Sequence, residues 1–160
     1  MLMKLQPQIV NIEPCMLIGI SDEMSLIHNT TPLLWRRFRT ELAATHAADS
    51  TAFYSLQQYP PDYFNNFNPA ATFVKHALIE NNQPNPYPTN WSVFHLQGGV
   101  YAVFNHRGGD TGIFQEIYTQ WLPQSGYALD NRPHFEKLPA NYIPGHPDSE
   151  EDIYIPVRPV

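Results

Sequence analysis

The stretch WSVFHLQGGVYAVFNH, residues 91–106, alternates apolar and polar side chains on both sides of Gly98-Gly99. Alternation with a period of two is typical of a β-strand, and a glycine pair inside it indicates a bulge or a tight turn. We therefore expect one strand here that is broken near its centre.

The segment that follows residue 106 has apolar residues at helical spacing. Asp110 or Thr111 is expected to cap the start of a helix, and Pro123 with Ser125-Gly126 to end it. Two more strands are predicted at RPHFEKL, residues 132–138, and at EDIYIPVRP, residues 151–159. The apolar positions of the helix are Phe114, Ile117, Tyr118, Trp121 and Leu122.

The first half of the chain presents the same kinds of segment in the same order. A strand is broken by a proline, a helix follows with Thr31 as its N-cap and Pro32 in its first turn, and two strands come after it. The helix carries Leu34, Trp35, Phe38 and Leu42 as its apolar stripe. The four segments are IVNIEPCMLIGIS (9–21), TPLLWRRFRTELAAT (31–45), STAFYSLQQ (50–58) and ATFVKHALIE (71–80).

These patterns predict one α+β domain over residues 1–160, built from two βαββ repeats. Repeat 1 covers about 8–80 and repeat 2 about 91–158, and the Asn- and Pro-rich segment 81–90 links them. We expect one antiparallel sheet with two helices on one face and a ligand cleft between the helices. The open face of such a sheet could support a homodimer.

Composition excludes several classes of function. The net charge of −6 disfavours direct nucleic-acid binding, which rests on Lys and Arg clusters. Cys15 is the single cysteine and the histidines are scattered, so neither a disulfide nor a metal site nor any other cofactor is expected. No apolar run is long enough to cross a membrane, and a cytoplasmic protein is expected. The acidic stretch SEED, residues 149–152, is interpreted as a solvated turn.

The second half resembles the GyrI-like small-molecule-binding family, the effector domains of bacterial AraC- and MerR-type multidrug regulators. The resemblance rests on a strand ending at HRG (106–108), then WLPQSGY (121–127), RPHFE (132–136) and IYIP (153–156). It implies the duplicated βαββ fold and a pocket for amphipathic, often cationic, aromatic compounds. It also implies that Glu136 is the key carboxylate of the pocket and that Tyr154 is its aromatic in the last strand.

The chain has no helix-turn-helix beside this fold, so we expect a drug-binding or sensing module that lacks its own DNA-binding domain. It would bind small molecules without catalysis, alone or together with a regulatory protein that controls transcription.

Glu136 lies in the aromatic and apolar stretch HFEKLPANYIPG, residues 134–145. Desolvation raises the pKa of a buried carboxylate, and a delocalised organic cation can restore its charge balance. Aromatic faces add cation–π attraction of about 0.5–2 kcal/mol for each good contact. A solvated glutamate on an exposed strand face is the alternative interpretation. The candidate aromatic walls, each of which could instead belong to the core, are Trp35, Phe38, Tyr118, Trp121, Tyr142 and Tyr154.

Two other functions stay open at this point. Some GyrI-like proteins hydrolyse electrophilic compounds, and Glu136 could act as a general base if burial raises its pKa. Other family members inhibit DNA gyrase, which would need a protein-binding surface instead. A haem role would need an axial histidine in an apolar cleft, and no histidine in the sequence is marked for it.

Overall fold

A computed structural model describes residues 5–45, 52–81 and 87–160. The predicted segments form strands and helices in the predicted order, and the parts of them at residues 50, 51 and 82–86 lie outside the described residues. The elements are β1 (Gln8–Ile12), β2 (Cys15–Ser25), α1 (Thr31–Ala43), β3 (Ala52–Gln58), β4 (Thr72–Glu80), β5 (Ser92–Leu96), β6 (Gly99–Arg107), α2 (Gly112–Glu116), a π-helical turn (Ile117–Trp121), α3 (Leu122–Gln124), β7 (Tyr127–Leu129), β8 (His134–Pro139) and β9 (Glu150–Pro159).

The strands form one antiparallel sheet in the order β1-β6-β9-β8-β3-β4-β2-β5, with β7 paired to β9. The three strands of repeat 2 therefore lie beside the three strands of repeat 1, and β3 and β8 meet at the centre. This arrangement confirms the predicted α+β class and the antiparallel sheet with its two helical segments. The short strand β7 was not predicted.

Both strand breaks occur where the sequence places them, and they allow the two repeats to exchange strands. β1 leaves β2 at Pro14 and pairs with β6, while β5 leaves β6 at Gly98 and pairs with β2. The register continues across the breaks, because Ile12 pairs with Gly99 and Cys15 pairs with Leu96. The two long, bent strands thus cross each other as one antiparallel ladder.

Each helix covers its own part of one sheet face. On α1, the predicted stripe residues Leu34, Phe38 and Leu42 are buried over the first repeat. On the second helical segment, Ile117 is buried against β6 and β9. No helix among the described residues combines the length and the apolar character that a bilayer-spanning segment needs.

The other sheet face is not open, contrary to the expectation of a one-sided sheet. Leu17, Leu56, Leu78 and Phe135 are buried there. Side chains of the crossing strands β1 and β5 pack against this cluster, and among them is Ile12. The crossing covers apolar surface that a simple two-layer arrangement would leave exposed, and it reduces the area that a homodimer could use.

Three details of the helices correct the sequence predictions. Thr30, not Thr31, is the N-cap residue of α1, and its hydroxyl makes no capping hydrogen bond. The second helix is not continuous, because the π-helical turn separates α2 from α3. Pro123 lies inside α3 as a tolerated first-turn proline and does not end it. The helix ends before Gly126, whose φ of +79° suits glycine.

Strand register relates the two repeats residue by residue when β2 and β6 are aligned at their first residues. Lys75 pairs with Asp22, the eighth residue of β2, and Glu151 pairs with His106, the eighth residue of β6. Lys75 of repeat 1 and Glu151 of repeat 2 are therefore equivalent positions with opposite charges.

The same register places Ser55 and Glu136 at equivalent positions on β3 and β8. Ser55 pairs with Ala77, which is two residues beyond Lys75. Glu136 pairs with Ile153, which is two residues beyond Glu151. Ser55 and Glu136 also pair directly with each other. This pair therefore straddles the pseudo-twofold axis of the duplicated fold, at the centre of the sheet.

Candidate functional site

Glu136 projects from the centre of β8 on the face that carries the helices. Its neighbours on the same face of β8, His134 and Leu138, are buried on that side. The carboxylate accepts a hydrogen bond of 3.3 Å from Nε2 of Gln57. Glu136 keeps a partial opening to solvent although it lies deep among protein groups. The interpretation as a freely solvated strand residue is thus not supported.

Burial raises the pKa of Glu136 above its ordinary value. The nearby carboxylate of Glu151 raises it further, while the ammonium group of Lys75 and the hydrogen bond from Gln57 act in the opposite direction. The carboxylate is therefore under-compensated: its surroundings stabilise the negative charge less well than water would.

Lys75 is the second charged group of this region, and the sequence analysis does not predict it. It is 7% exposed and lies on the helix-side face of β4, between Phe73 and Ala77. Burial lowers the pKa of Lys75, whereas Glu136 and Glu151 raise it. In the described part of the chain its ammonium group donates no hydrogen bond, and it has no carboxylate oxygen within 4.0 Å.

Glu151 completes the set of charges on the other side of Glu136. Its side chain is 11% exposed, and a hydrogen bond of 3.2 Å joins its carboxylate to Nδ1 of His106. The expectation of a solvated acidic turn at residues 149–152 is thus wrong for Glu151, because it belongs to β9 and points to the helix side. His106 bonds across the sheet to this strand.

Three tyrosines lie near enough to Glu136 for its charge to act on them. The negative charge of Glu136 contributes to the raised pKa of Tyr59, Tyr118 and Tyr142, although burial is the largest cause in each. All three therefore stay protonated and neutral at physiological pH. We call the set of Gln57, Tyr59, Lys75, Tyr118, Glu136, Tyr142 and Glu151 the Glu136 cluster.

The π-helical turn positions Tyr118. A hydrogen bond of 2.9 Å joins its hydroxyl to Nδ1 of His134. Burial lowers the pKa of His134 to about 3, so its imidazole is neutral at physiological pH. π-Helical turns occur frequently at functional sites because they redirect side chains within a helix. Here the turn lies in the helical segment that faces Glu136.

The other predicted aromatic residues occupy different places. Phe38 is fully buried and stacks on Trp91 at 4.8 Å between ring centroids, so it is part of the core. Trp35 is half-buried and packs edge-on against Phe38. Trp121 packs edge-on against Phe104, away from the first repeat.

Tyr154 lies on the opposite face of β9 from Glu151. Its ring stacks on Phe135 at 4.4 Å, within the apolar cluster beneath the sheet. The structure therefore brings Tyr118 and Tyr142 to Glu136 and leaves Tyr154 on the other side. Sequence reasoning missed Gln57, Tyr59, Lys75 and Glu151, of which Lys75 and Glu151 could have been found from strand alternation.

A cavity of about 560 Å³ adjoins the Glu136 cluster. It shares Tyr59 with that cluster, and His134 and Phe64 also line it, whereas Glu136 does not. This volume lies within the range that holds drug-sized molecules. Among the described residues no group of His, Cys, Asp and Glu side chains has the arrangement of a metal site.

Comparison with known proteins identifies the fold. The structure aligns with SAV2435 bound to tetraphenylphosphonium at a TM-score of 0.70, with 16% identity over 96% of this chain and 94% of that one. It aligns with the C-terminal domain of EcmrR at 0.66, with 18% identity over 99% and 100% of the two chains. A hydrolase encoded by lin2189 from Listeria innocua aligns at 0.64, with 10% identity over 97% and 93%.

The TM-scores of these alignments show a shared fold. The match to a family model of effector-binding proteins confirms the resemblance to effector-binding domains. A search of curated protein sequences finds no significant match. The family model of the integron-associated effector-binding proteins, Cass2, matches residues 8–157, which is nearly the whole chain. This chain belongs to the Cass2 family of integron-associated effector-binding proteins.

Proposed function

We propose that this protein binds small amphipathic molecules with a cationic, aromatic body at the Glu136 cluster, and that Glu136 is the counter-ion. The observation that carries the proposal is the under-compensated carboxylate of Glu136 on the helix-side face, with Tyr59, Tyr118 and Tyr142 around it. A lipophilic cation can relieve this imbalance without a full hydration shell.

The tyrosines suit such a guest because their rings are apolar and their faces attract cations. A site of this kind selects for charge and flatness more than for exact shape, so several drug-like cations are expected to bind. The neighbouring cavity of about 560 Å³ would give the apolar part of a guest additional space beside Tyr59. SAV2435, which shares the fold, has been solved with the organic cation tetraphenylphosphonium.

The first test is a fluorescence titration with rhodamine 6G, a lipophilic cation. Glu136→Gln is expected to weaken binding by at least about tenfold, which corresponds to about 1.4 kcal/mol. Glu23→Gln is the matched control, because Glu23 is an exposed carboxylate on β2. The substitution removes the same charge outside the proposed site. Equal binding by wild type and Glu136→Gln, or no saturable binding at all, would refute the role of Glu136.

A hydrolase is the second candidate, favoured by the raised pKa of Glu136. A carboxylate with a raised pKa is a better general base or acid near neutral pH. The same Glu136→Gln variant separates the two candidates: a hydrolase would lose turnover of an electrophilic substrate while it kept its affinity, and a binding module would lose affinity.

EcmrR, whose C-terminal domain shares this fold, has also been solved in complex with DNA. We further propose that the protein works as a cytoplasmic sensor and passes on ligand binding through a protein partner. A gyrase-like target is one such partner, and its complex would be insensitive to Glu136→Gln.

A further inference from the structure

The Glu136 cluster is electrically polarised across the pseudo-twofold axis. Lys75 lies on β4 on one side of the axis, and its equivalent Glu151 lies on β9 on the other. Glu136 projects from β8 between them. All three side chains share the helix-side face, so a guest beside Glu136 would meet a positive group on one side and a negative group on the other.

Lys75 has no close ion-pair partner in the described part of the chain, and the carboxylates of Glu136 and Glu151 act on it only from farther away. It is 7% exposed, and in the described part of the chain no carboxylate oxygen lies within 4.0 Å of its ammonium group. A buried charge without a close partner is costly, and a ligand that supplies the partner recovers that cost as binding free energy. The ammonium group would also repel a simple cation placed beside Glu136.

We propose that the preferred ligand of this cluster is zwitterionic. It would be an amphipathic aromatic molecule with a cationic end toward Glu136 and Glu151 and an anionic end toward Lys75. This inference rests on the proposed function and specifies its ligand class. Lys75 is then the residue that distinguishes zwitterions from simple cations.

The strand order sets the scale of such a guest. β4 and β8 are separated by β3 alone, and Lys75 lies two residues along the strands from the row of Glu136, so the two Cα atoms are about 12 Å apart. Both side chains project from the same face and are long enough to shorten this separation. A rigid cationic body of two or three fused rings that carries a carboxylate on an attached ring matches this scale.

The decisive experiment compares rhodamine 6G, an ester and a simple cation, with its free acid, rhodamine 19, which is zwitterionic at pH 8. The two dyes differ only at that ester, so the ratio of their dissociation constants isolates the effect of the carboxylate. Titrations at pH 7 and pH 8 bracket the opposite tendencies of the two groups, because the pKa of Glu136 is raised and that of Lys75 is lowered.

Lys75→Met is expected to weaken binding of the free acid and to strengthen binding of the ester, so that the ratio shifts by about tenfold or more. Lys75→Arg keeps the charge and is expected to preserve the wild-type preference. Lys137→Met is the matched control, because Lys137 lies on the opposite face of β8 over the ring of Tyr54. Thermal denaturation of each variant confirms that it is folded.

Two kinds of failure are distinguishable. An unchanged ratio in Lys75→Met, with ester binding that still depends on Glu136, would overturn the zwitterion inference and leave the cation-binding proposal intact. Failure of both dyes to bind the wild type, or binding that is insensitive to Glu136→Gln, would overturn both.

Discussion

The two repeats share one backbone plan and differ at the positions nearest their common axis. Repeat 1 carries Ser55 and Lys75 where repeat 2 carries Glu136 and Glu151. Symmetry would otherwise place like groups on the two sides of the central strands, and two equivalent carboxylates there would repel each other. The departure from symmetry leaves a single carboxylate on the axis with unlike charges beside it.

The helices differ in a corresponding way. α1 is a regular helix of 13 residues that is anchored in the core by aromatic packing between Phe38 and Trp91. The second helical segment is interrupted by a π-helical turn, and its Tyr118 bonds to His134 beneath it. The first helix therefore serves mainly stability, while the second contributes a polar group to the Glu136 cluster.

The largest expected effect tests the structural role of the first helix. Phe38→Ala removes a fully buried ring from the core and should lower the free energy of unfolding by about 3–5 kcal/mol. Ile117→Ala is the matched change in the second helical segment, and its smaller side chain should cost less. Urea denaturation measures both. A larger loss for Ile117→Ala would show that the repeats contribute to stability in the reverse order.

The next effect concerns a pair of equivalent positions one step from the axis. Phe53 of repeat 1 corresponds to His134 of repeat 2, since each lies two residues before the central pair Ser55 and Glu136. The folded state lowers the pKa of His134 from 6.5 to about 3. Between about pH 3 and pH 6.5 the imidazole of His134 is therefore protonated in the unfolded chain and neutral in the folded one. The free energy of unfolding falls as the pH falls below 6.5.

His134→Phe makes the two repeats alike at this position and removes that titration. Relative to the variant, the wild type should lose about 3 kcal/mol between pH 7 and pH 4, because each pKa unit is worth about 1.4 kcal/mol. Denaturation curves at a series of pH values measure this difference. His76, with a pKa lowered to about 4, is retained in both proteins and cancels in the comparison. Parallel pH profiles would contradict the assignment.

The sequence predicted most of the fold and fewer residues of the Glu136 cluster. Alternation, helical spacing and two strand-breaking positions were sufficient for the duplicated βαββ order, because these features depend on local backbone preferences. The exchange of β1 and β5 between repeats was not predictable in this way. It depends on register over many residues, which no single segment contains.

The site residues show the same limit. Glu136 was predicted from its motif, and Tyr118 and Tyr142 were two of the ring-bearing candidates for the walls of the pocket. Lys75 was overlooked although it alternates with Phe73 and Ala77 on a buried strand face, which is an unusual place for a lysine. Tyr59 follows β3 directly, and its place in the cluster depends on the packing of its ring against Tyr63 and His134, which the sequence does not indicate.

The smallest expected effect is on the central pair itself, in the absence of any guest. Because the folded state raises the pKa of Glu136, the folded chain holds a proton that the unfolded chain has already released. The contribution of Glu136 to stability is therefore full below its unfolded pKa near 4.5 and is lost as the pH rises through its folded pKa. Glu136→Gln, which has no charge to lose, should be more stable than wild type at pH 8.

The advantage of Glu136→Gln should disappear as the pH falls toward 4.5, and denaturation midpoints at pH 8 and pH 5 measure it. Ser55→Ala is the control, because it alters the equivalent position without changing a charge. A variant less stable than wild type at pH 8 would mean that Lys75 compensates Glu136 more strongly than burial penalises it. The carboxylate would then be a structural partner of Lys75, and its availability to an external cation would be lost. Stability and binding measurements on the same variant thus decide which of the two roles Glu136 has.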